Sequence, residues 1–237
     1  MFDDDEGLEA ALLQAVPIFP LPNAVLLPGM VLPLNVFEPR YLALVDYALE
    51  GGQYIGVPLL RPGYEDDYEG RPATEAVFGV GRLISHQRLP DGRRFIRLAG
   101  QRRLRVLREL PPEHSFRLVE CALLDELPPQ DGSALEVLEA QLERISGTLR
   151  PDDAQLVESV LRIPDPRVLS YAVAAILPTL GLTPGSASSQ HSAMLTMQQA
   201  TLDAQDTDAR IQVLSAFAAE LCARLLDDGR MPKNLMN

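Results

Sequence analysis

PIFPLPNAVLLPGMVLPLNVFEPRY, residues 17–41, reads as a strand, a Pro-Gly turn, a second strand and a helix start with little slack between them. Prolines at positions 17, 20, 22, 28 and 33 forbid a helix and favour edge or irregular strands over residues 16–21 and 31–37. Pro28-Gly29 between these runs is a turn signal. The period then changes, with Tyr41, Leu42, Leu44, Val45, Ala48 and Leu49 at helical spacing. Pro39 suits the first helical turn and Glu38 the positive end of the helix dipole, while Gly51-Gly52 marks the end.

Outward from this segment, residues 53–60 read as a strand and residues 61–74 as an acidic, tyrosine-containing loop. A hairpin follows: residues 76–88, a turn at Leu89-Pro90-Asp91-Gly92, and residues 93–99. Gly100 introduces a further strand, 101–109, in which Leu104, Val106 and Leu110 alternate with Arg103, Arg105 and Glu109, so one face is expected buried and the other wet. Residues 116–124 supply the last strand. Pro128-Pro129 is the best domain boundary. Beyond it Leu135, Leu138, Leu142 and Ile145 share a stripe, and helices are expected over residues 152–162, 165–177, 192–203 and 208–227, with a Gly/Pro/Ser loop at 181–189. Helices that cannot each bury a stripe alone form a bundle. The domains expected are an acidic leader at 1–15, a β domain at 16–127 and a helical bundle at 130–230.

The 237 residues are 46% hydrophobic and 23% charged, which implies a packed core. No apolar run approaches the roughly 20 residues that span a bilayer, and the acidic start is unlike a secretory signal, so a cytoplasmic protein without a membrane partner is expected. The net charge of -12 argues against general affinity for nucleic acid. Nine arginines nevertheless fall between Arg82 and Arg108, either as the solvated face of a half-buried sheet or as a basic groove for an acidic partner. Cys121 and Cys222 sit among apolar neighbours and read as buried free thiols. His86, His114 and His191 stand in separate segments without a catalytic or metal-ligand motif, and Glu65, Asp66, Asp67 and Glu69 lack a calcium-loop pattern. Glu38 and Arg40 are expected to cap the helix and pin it to the sheet. No cofactor is expected.

FPLPNAVLLPGMVLPLNVFEPRY at 19–41, VFGVGRLISHQRLPDGRRFIRLAGQRRLRVLREL at 77–110 and LTMQQATLDAQDTDARIQVLSAFAAEL at 195–221 together resemble the substrate-binding domain at the amino end of Lon proteases. The FEPRY form at 37–41 is closer to the stand-alone members. The resemblance implies an α+β fold: a PUA-like, LON-type, partly open β barrel with one helix, followed by an α-helical bundle. It also implies a module that holds other polypeptides.

The machinery to cut those polypeptides is absent from these residues. The chain has a single lysine, Lys233, whereas a P-loop needs one beside its glycine-rich turn and a Ser-Lys protease needs one beside its nucleophile. Arginine cannot stand in as the base, because it does not deprotonate. A non-enzymatic module is therefore expected, holding unfolded or extended segments by strand addition, or in the cleft between barrel and bundle, and working with a protease or chaperone. Phe19, Leu26, Met30 and Phe37 are the expected apolar contacts, with Arg94 and Arg97 for acidic segments. The alternatives are RNA binding through the arginine-rich strands, with Arg103 and Arg105 as its test, and a small-ligand receptor. The latter is considered because a LON-like domain also occurs in cereblon, where a separate domain carries the ligand pocket. This chain has neither a zinc-binding cysteine set nor a tryptophan for such a pocket.

Overall fold

The computed structural model describes residues 10–68, 70–180 and 187–227, and the chain divides into two units between Leu124 and Asp125. The expected leader as far as residue 9, residues 181–186 of the expected loop and residues 228–230 of the expected bundle lie outside the described residues.

In the first unit a one-turn helix, α1 (Ala10–Leu13), precedes β1 (Val16–Ile18), which is shorter than the expected run. Pro20 and Pro22 end the regular ladder, yet the chain stays extended: Phe19 N–H donates to the Gly56 carbonyl at 2.8 Å and Leu21 N–H to that of Pro58 at 3.0 Å. The Pro-Gly turn forms, with Met30 N–H donating to the Leu27 carbonyl at 3.1 Å and Gly29 at a φ of 81°. It does not make a hairpin. β2 (Val31–Val36) pairs antiparallel with β5 (Arg94–Glu109), whereas β1 pairs parallel with β3 (Tyr54–Val57) and antiparallel with β6 (Arg117–Leu123).

With β4 (Val77–Arg88), the strands run in the order β2-β5-β4-β3-β1-β6, and the second half of β5 pairs again with β6. One edge of β5 thus serves β2 first and β6 afterwards. The sheet curls into a partly open β barrel.

Gly100 does not separate two strands as expected; β5 runs straight through it. Its purpose is clearance. The Leu26-Leu27 backbone crosses over the sheet at this point, and a Cβ at Gly79 would overlap the Leu26 carbonyl oxygen, while one at Gly100 would overlap that of Leu27. At Gly81 a Cβ would come within 2.7 Å of the Leu26 side chain. Gly29 N–H donates to the Gly100 carbonyl at 2.9 Å and Gly100 N–H to that of Met30 at 2.8 Å, which fastens the crossing segment. The expected alternation also fails at Arg103, which faces Gly79 across the ladder and is buried.

α2 (Pro39–Glu50) starts with Pro39 as expected, and its buried face of Tyr41, Leu44, Val45 and Ala48 packs on Leu26, Val36, Ile55, Ile96, Leu98 and Phe116. Glu38 does not cap: no side-chain cap bond forms, and its carboxylate instead accepts from Arg40 Nε at 2.9 Å and Tyr68 Oη at 3.0 Å, which ties the helix start to the 61–74 loop where the sheet was expected. A second cluster, Val16, Ile18, Tyr54, Phe78, Val80, Leu104, Val119 and Cys121, fills the rest of the barrel.

The second unit consists of α3 (Ser133–Ser146), α4 (Pro151–Leu161), α5 (Pro166–Ile176), α6 (Ala187–Asp203) and α7 (Thr207–Asp227), an α-helical bundle in which α7 packs on α3, α5 and α6. α6 begins five residues before the expected 192. Asp165 caps α5 by accepting from Arg167 N–H at 2.9 Å.

Within the bundle Arg210 is fully buried. Its Nε donates to Ser170 Oγ at 2.8 Å, Nη1 to Tyr171 Oη at 2.7 Å and Nη2 to Glu126 Oε2 at 3.0 Å, and its guanidinium carbon lies 4.1 Å from the Tyr171 ring centroid. Tyr171 Oη donates in turn to Glu126 Oε1 at 2.7 Å. This network ties the segment at residue 126 to α5 and α7.

Candidate functional site

The six residues expected to make contacts fall into two groups. Phe19, 6% exposed and stacked on Tyr41 with ring centroids 4.0 Å apart, and Leu26, 1% exposed within the crossing segment, are core residues and offer no contact surface. Arg94 is also removed. Buried at the end of β5, it donates from Nη1 and Nη2 to the two Asp46 oxygens at 2.6 and 2.7 Å, a bidentate pair that locks β5 to α2. These hydrogen bonds hold the Asp46 carboxyl below the usual carboxylate range. Met30 is half-buried at the turn, whereas Arg97 and Phe37 are exposed, Phe37 at 62%.

Strand alternation assembles an outer face around the exposed pair. Along β5, Ile96 and Leu98 point into the core while Phe95 and Arg97 point out. Across the ladder Asn35 and Gln87 flank Phe95, Pro33 and Ser85 flank Arg97, and Val31 faces Ala99. Phe95, Val31, Ile84 at an irregularity of β4, and Phe37 at the end of β2 are all exposed large apolar residues. Of the residues picked from sequence, Phe37 and Arg97 belong to this face. Phe95, Val31 and Ile84 were missed, although the inward-outward alternation of residues 93–99 carried the signal for Phe95.

The outer edge of β2 is poorly suited to strand addition. Because Gly100 N–H donates to Met30, the even-numbered residues of β2 bond to β5, and the backbone groups of Val31, Pro33 and Asn35 point to the open edge. Pro33, at the centre of that edge, has no N–H to give.

The arginines between 82 and 108 do not form one solvated face. Arg94 and Arg103 are buried, Arg93 pairs with Asp91 and Arg108 with Glu120, while Arg82, Arg88, Arg97 and Arg105 remain exposed. Charge reversal at Arg103 therefore tests folding rather than RNA contact. Glu65, Asp66 and Asp67 are exposed in a short 3-10 turn, Tyr64–Asp67, and no group of three His, Cys, Asp or Glu among the described residues is placed to hold a metal ion. No helix among the described residues is long and apolar enough to cross a membrane.

Cys121 is buried and free, and Cys222 half-buried and free. Burial, with the Glu120 carboxylate adding to it, pushes the Cys121 thiol up to about 12 from an ordinary 9.0. In the folded protein Cys121 stays protonated where the unfolded chain ionises, so its contribution to stability is lost as pH rises from about 9 towards 12. Iodoacetamide at pH 9 is expected to modify Cys222 first and Cys121 only on unfolding, as peptide mass mapping would read. Equal labelling of both in the native state would contradict this burial.

A partly open barrel followed by a helical bundle places the chain among Lon amino-terminal domains. The "N terminal domain of Mycobacterium avium complex Lon protease" superposes with a TM-score of 0.62 at 16% identity over 87% of this chain and 99% of that one. The Lon N-terminal domain protein from Xanthomonas campestris does so with a TM-score of 0.53 at 27% identity, over 86% and 98%. The family model for the ATP-dependent protease La (LON) substrate-binding domain matches residues 15–180, and the chain belongs to that family. It is also 30% identical to a Lon protease of Roseiflexus castenholzii over 233 residues, and 29% identical to Lon protease 3 of Sorangium cellulosum over 191. These alignments take in 94% and 76% of this chain but only 26% and 22% of those proteins.

Proposed function

We propose that this chain is a non-enzymatic polypeptide-binding module that holds unfolded or extended segments through the outer face of β2, β5 and β4. The observation that carries this reading is the exposed apolar set Val31, Phe37, Ile84 and Phe95 beside Arg97, on strands whose opposite faces are fully used by the core. Membership of the substrate-binding family supports a protein substrate as the ligand class. The absence of a P-loop lysine and of a lysine base from these 237 residues supports binding without ATP hydrolysis or peptide cleavage. Side chains rather than backbone make the contact in this reading, because Pro33 interrupts the open edge, and Arg97 selects acidic positions. A protease or chaperone is the class of partner that would receive the held segment.

A permanently unfolded, carboxymethylated reporter protein with a fluorophore tests this by anisotropy. The module is expected to bind the unfolded reporter and not its folded form, and Phe37→Ser with Phe95→Ser is expected to weaken binding by about tenfold or more, the equivalent of 1.4 kcal/mol. Equal binding by the double variant would remove the face from consideration. No binding of the unfolded reporter would end the reading itself.

A further inference from the structure

The first unit contains a cavity of about 280 Å³, lined by none of the apolar set just described, whose wall among the described residues holds arginines and no carboxylate. Arg40, Arg71, Arg117 and His114 line it, with no Asp or Glu among the described lining residues, and Tyr41 and Phe116 supply apolar wall. Carboxylates lie behind the guanidinium groups and aim them. Glu38 accepts from Arg40; Glu109 accepts from Arg117 Nε and Nη2 at 3.0 and 2.7 Å and from Arg71 Nη1 at 2.6 Å. Arg117 Nη1 donates to the Pro72 carbonyl at 2.8 Å, and Asp67 accepts from the Arg71 backbone N–H at 3.3 Å.

Arg117 is thereby fully engaged, but Arg71 is not. Its Nε and Nη2, the edge that grips a carboxylate in the bidentate mode Arg117 uses on Glu109, have no partner among the described residues. His114 is held at the rim by stacking on Phe116, with centroids 4.9 Å apart and planes at 12°, and its ring nitrogens have no hydrogen-bond partner among the described residues. A fixed guanidinium fork, a fixed imidazole edge and an apolar wall fit a carboxylate attached to a nonpolar body.

We propose that this cavity receives a carboxylate of a bound polypeptide, at its chain end or on an acidic side chain. The proposal rests on the reading of the chain as a polypeptide-binding module and adds a second contact, polar and made by other residues than the outer face.

The test uses one short labelled peptide of neutral side chains in three forms: free carboxyl terminus, carboxyl-terminal amide, and amide with one internal glutamate. Anisotropy is expected to give at least about tenfold tighter binding for a carboxylate form than for the neutral amide. Preference confined to the free terminus identifies a chain end, and preference for both forms identifies any carboxylate. Arg71→Gln is expected to abolish the preference and Arg71→Lys to restore only part of it, since lysine keeps the charge but not the fork. Arg105→Gln, on exposed β5, is expected to leave it intact. Absent or equal binding of the carboxylate forms, or a preference that survives Arg71→Gln, overturns the proposal. Reporter binding through Phe37 and Phe95 without any carboxylate preference defeats the cavity alone; carboxylate preference without reporter binding defeats the module reading alone.

Discussion

Replacing Arg210 by methionine is expected to destabilise the helical unit by about 3–5 kcal/mol, because it removes one partner of the buried ion pair with Glu126. Both side chains are out of water, at 0% and 2% exposure, so solvent cannot compensate either of them. Against a typical total of roughly 5–15 kcal/mol, that loss is a large part of the stability of a domain. Tyr171, Ser170 and Thr207 also lose a shared donor, each keeping only the bonds its hydroxyl makes elsewhere, such as those to Glu126, the Arg167 carbonyl and the Leu127 carbonyl. The comparison that isolates the charge is Arg210→Met with Glu126→Leu, expected to be less damaging than Arg210→Met alone, since an apolar pair of similar volume replaces a buried ion pair at low cost. Urea midpoints followed by far-ultraviolet circular dichroism would measure both. A loss below about 1 kcal/mol for the single variant would mean that water reaches Glu126.

Gly79→Ala is expected to cost about 3 kcal/mol or more, or to abolish folding of the barrel. The added methyl group meets a backbone carbonyl, that of Leu26, and not the flexible end of a side chain. Relief would require lifting the Leu26-Leu27 segment, which its hydrogen bonds to Gly100 and the burial of both leucines oppose. Gly132→Ala is the control: a Cβ there meets nothing within 4 Å and φ is -76°, so the change is expected to be neutral or to stabilise by up to about 1 kcal/mol. Thermal melts of the two variants separate a steric role for Gly79 from general intolerance of alanine. Similar melting of Gly79→Ala and the parent would show that the crossing segment is free to move.

These two sites also mark where the sequence stopped being informative. Pro28-Gly29, the Pro90-Asp91-Gly92 turn and Pro39 act within four residues of themselves, so their turns and helix start were readable from local chemistry; Gly29 and Gly92 do take positive φ. Gly79 and Gly100 act on a segment 50 or more residues earlier, and nothing beside them in the chain announces it. Gly100 consequently read as a strand break. Burial of Arg94 and Arg103 was hidden for the same reason, since the Asp46 partner of Arg94 comes from α2, 48 residues away. Phe19 and Leu26 looked available because a proline-rich run suggests an edge, whereas Phe19 stacks on Tyr41 in the core and Leu26, in the crossing segment, is buried against the sheet. The start of α6 was placed late because Ala187 to His191, read alone, has the small polar residues of a loop.

Pro33 gives the outer face a further property. Extended, unfolded chains with apolar side chains are the species most prone to join open sheet edges and grow into aggregates. At β2 an incoming strand would find the middle donor of the edge missing, so a surface that held such chains, as proposed, would be a poor seed for assembling them. A segment held there by its side chains alone has no ladder of hydrogen bonds to unzip and leaves as easily as it arrived. On the proposed reading, the face suits custody rather than storage.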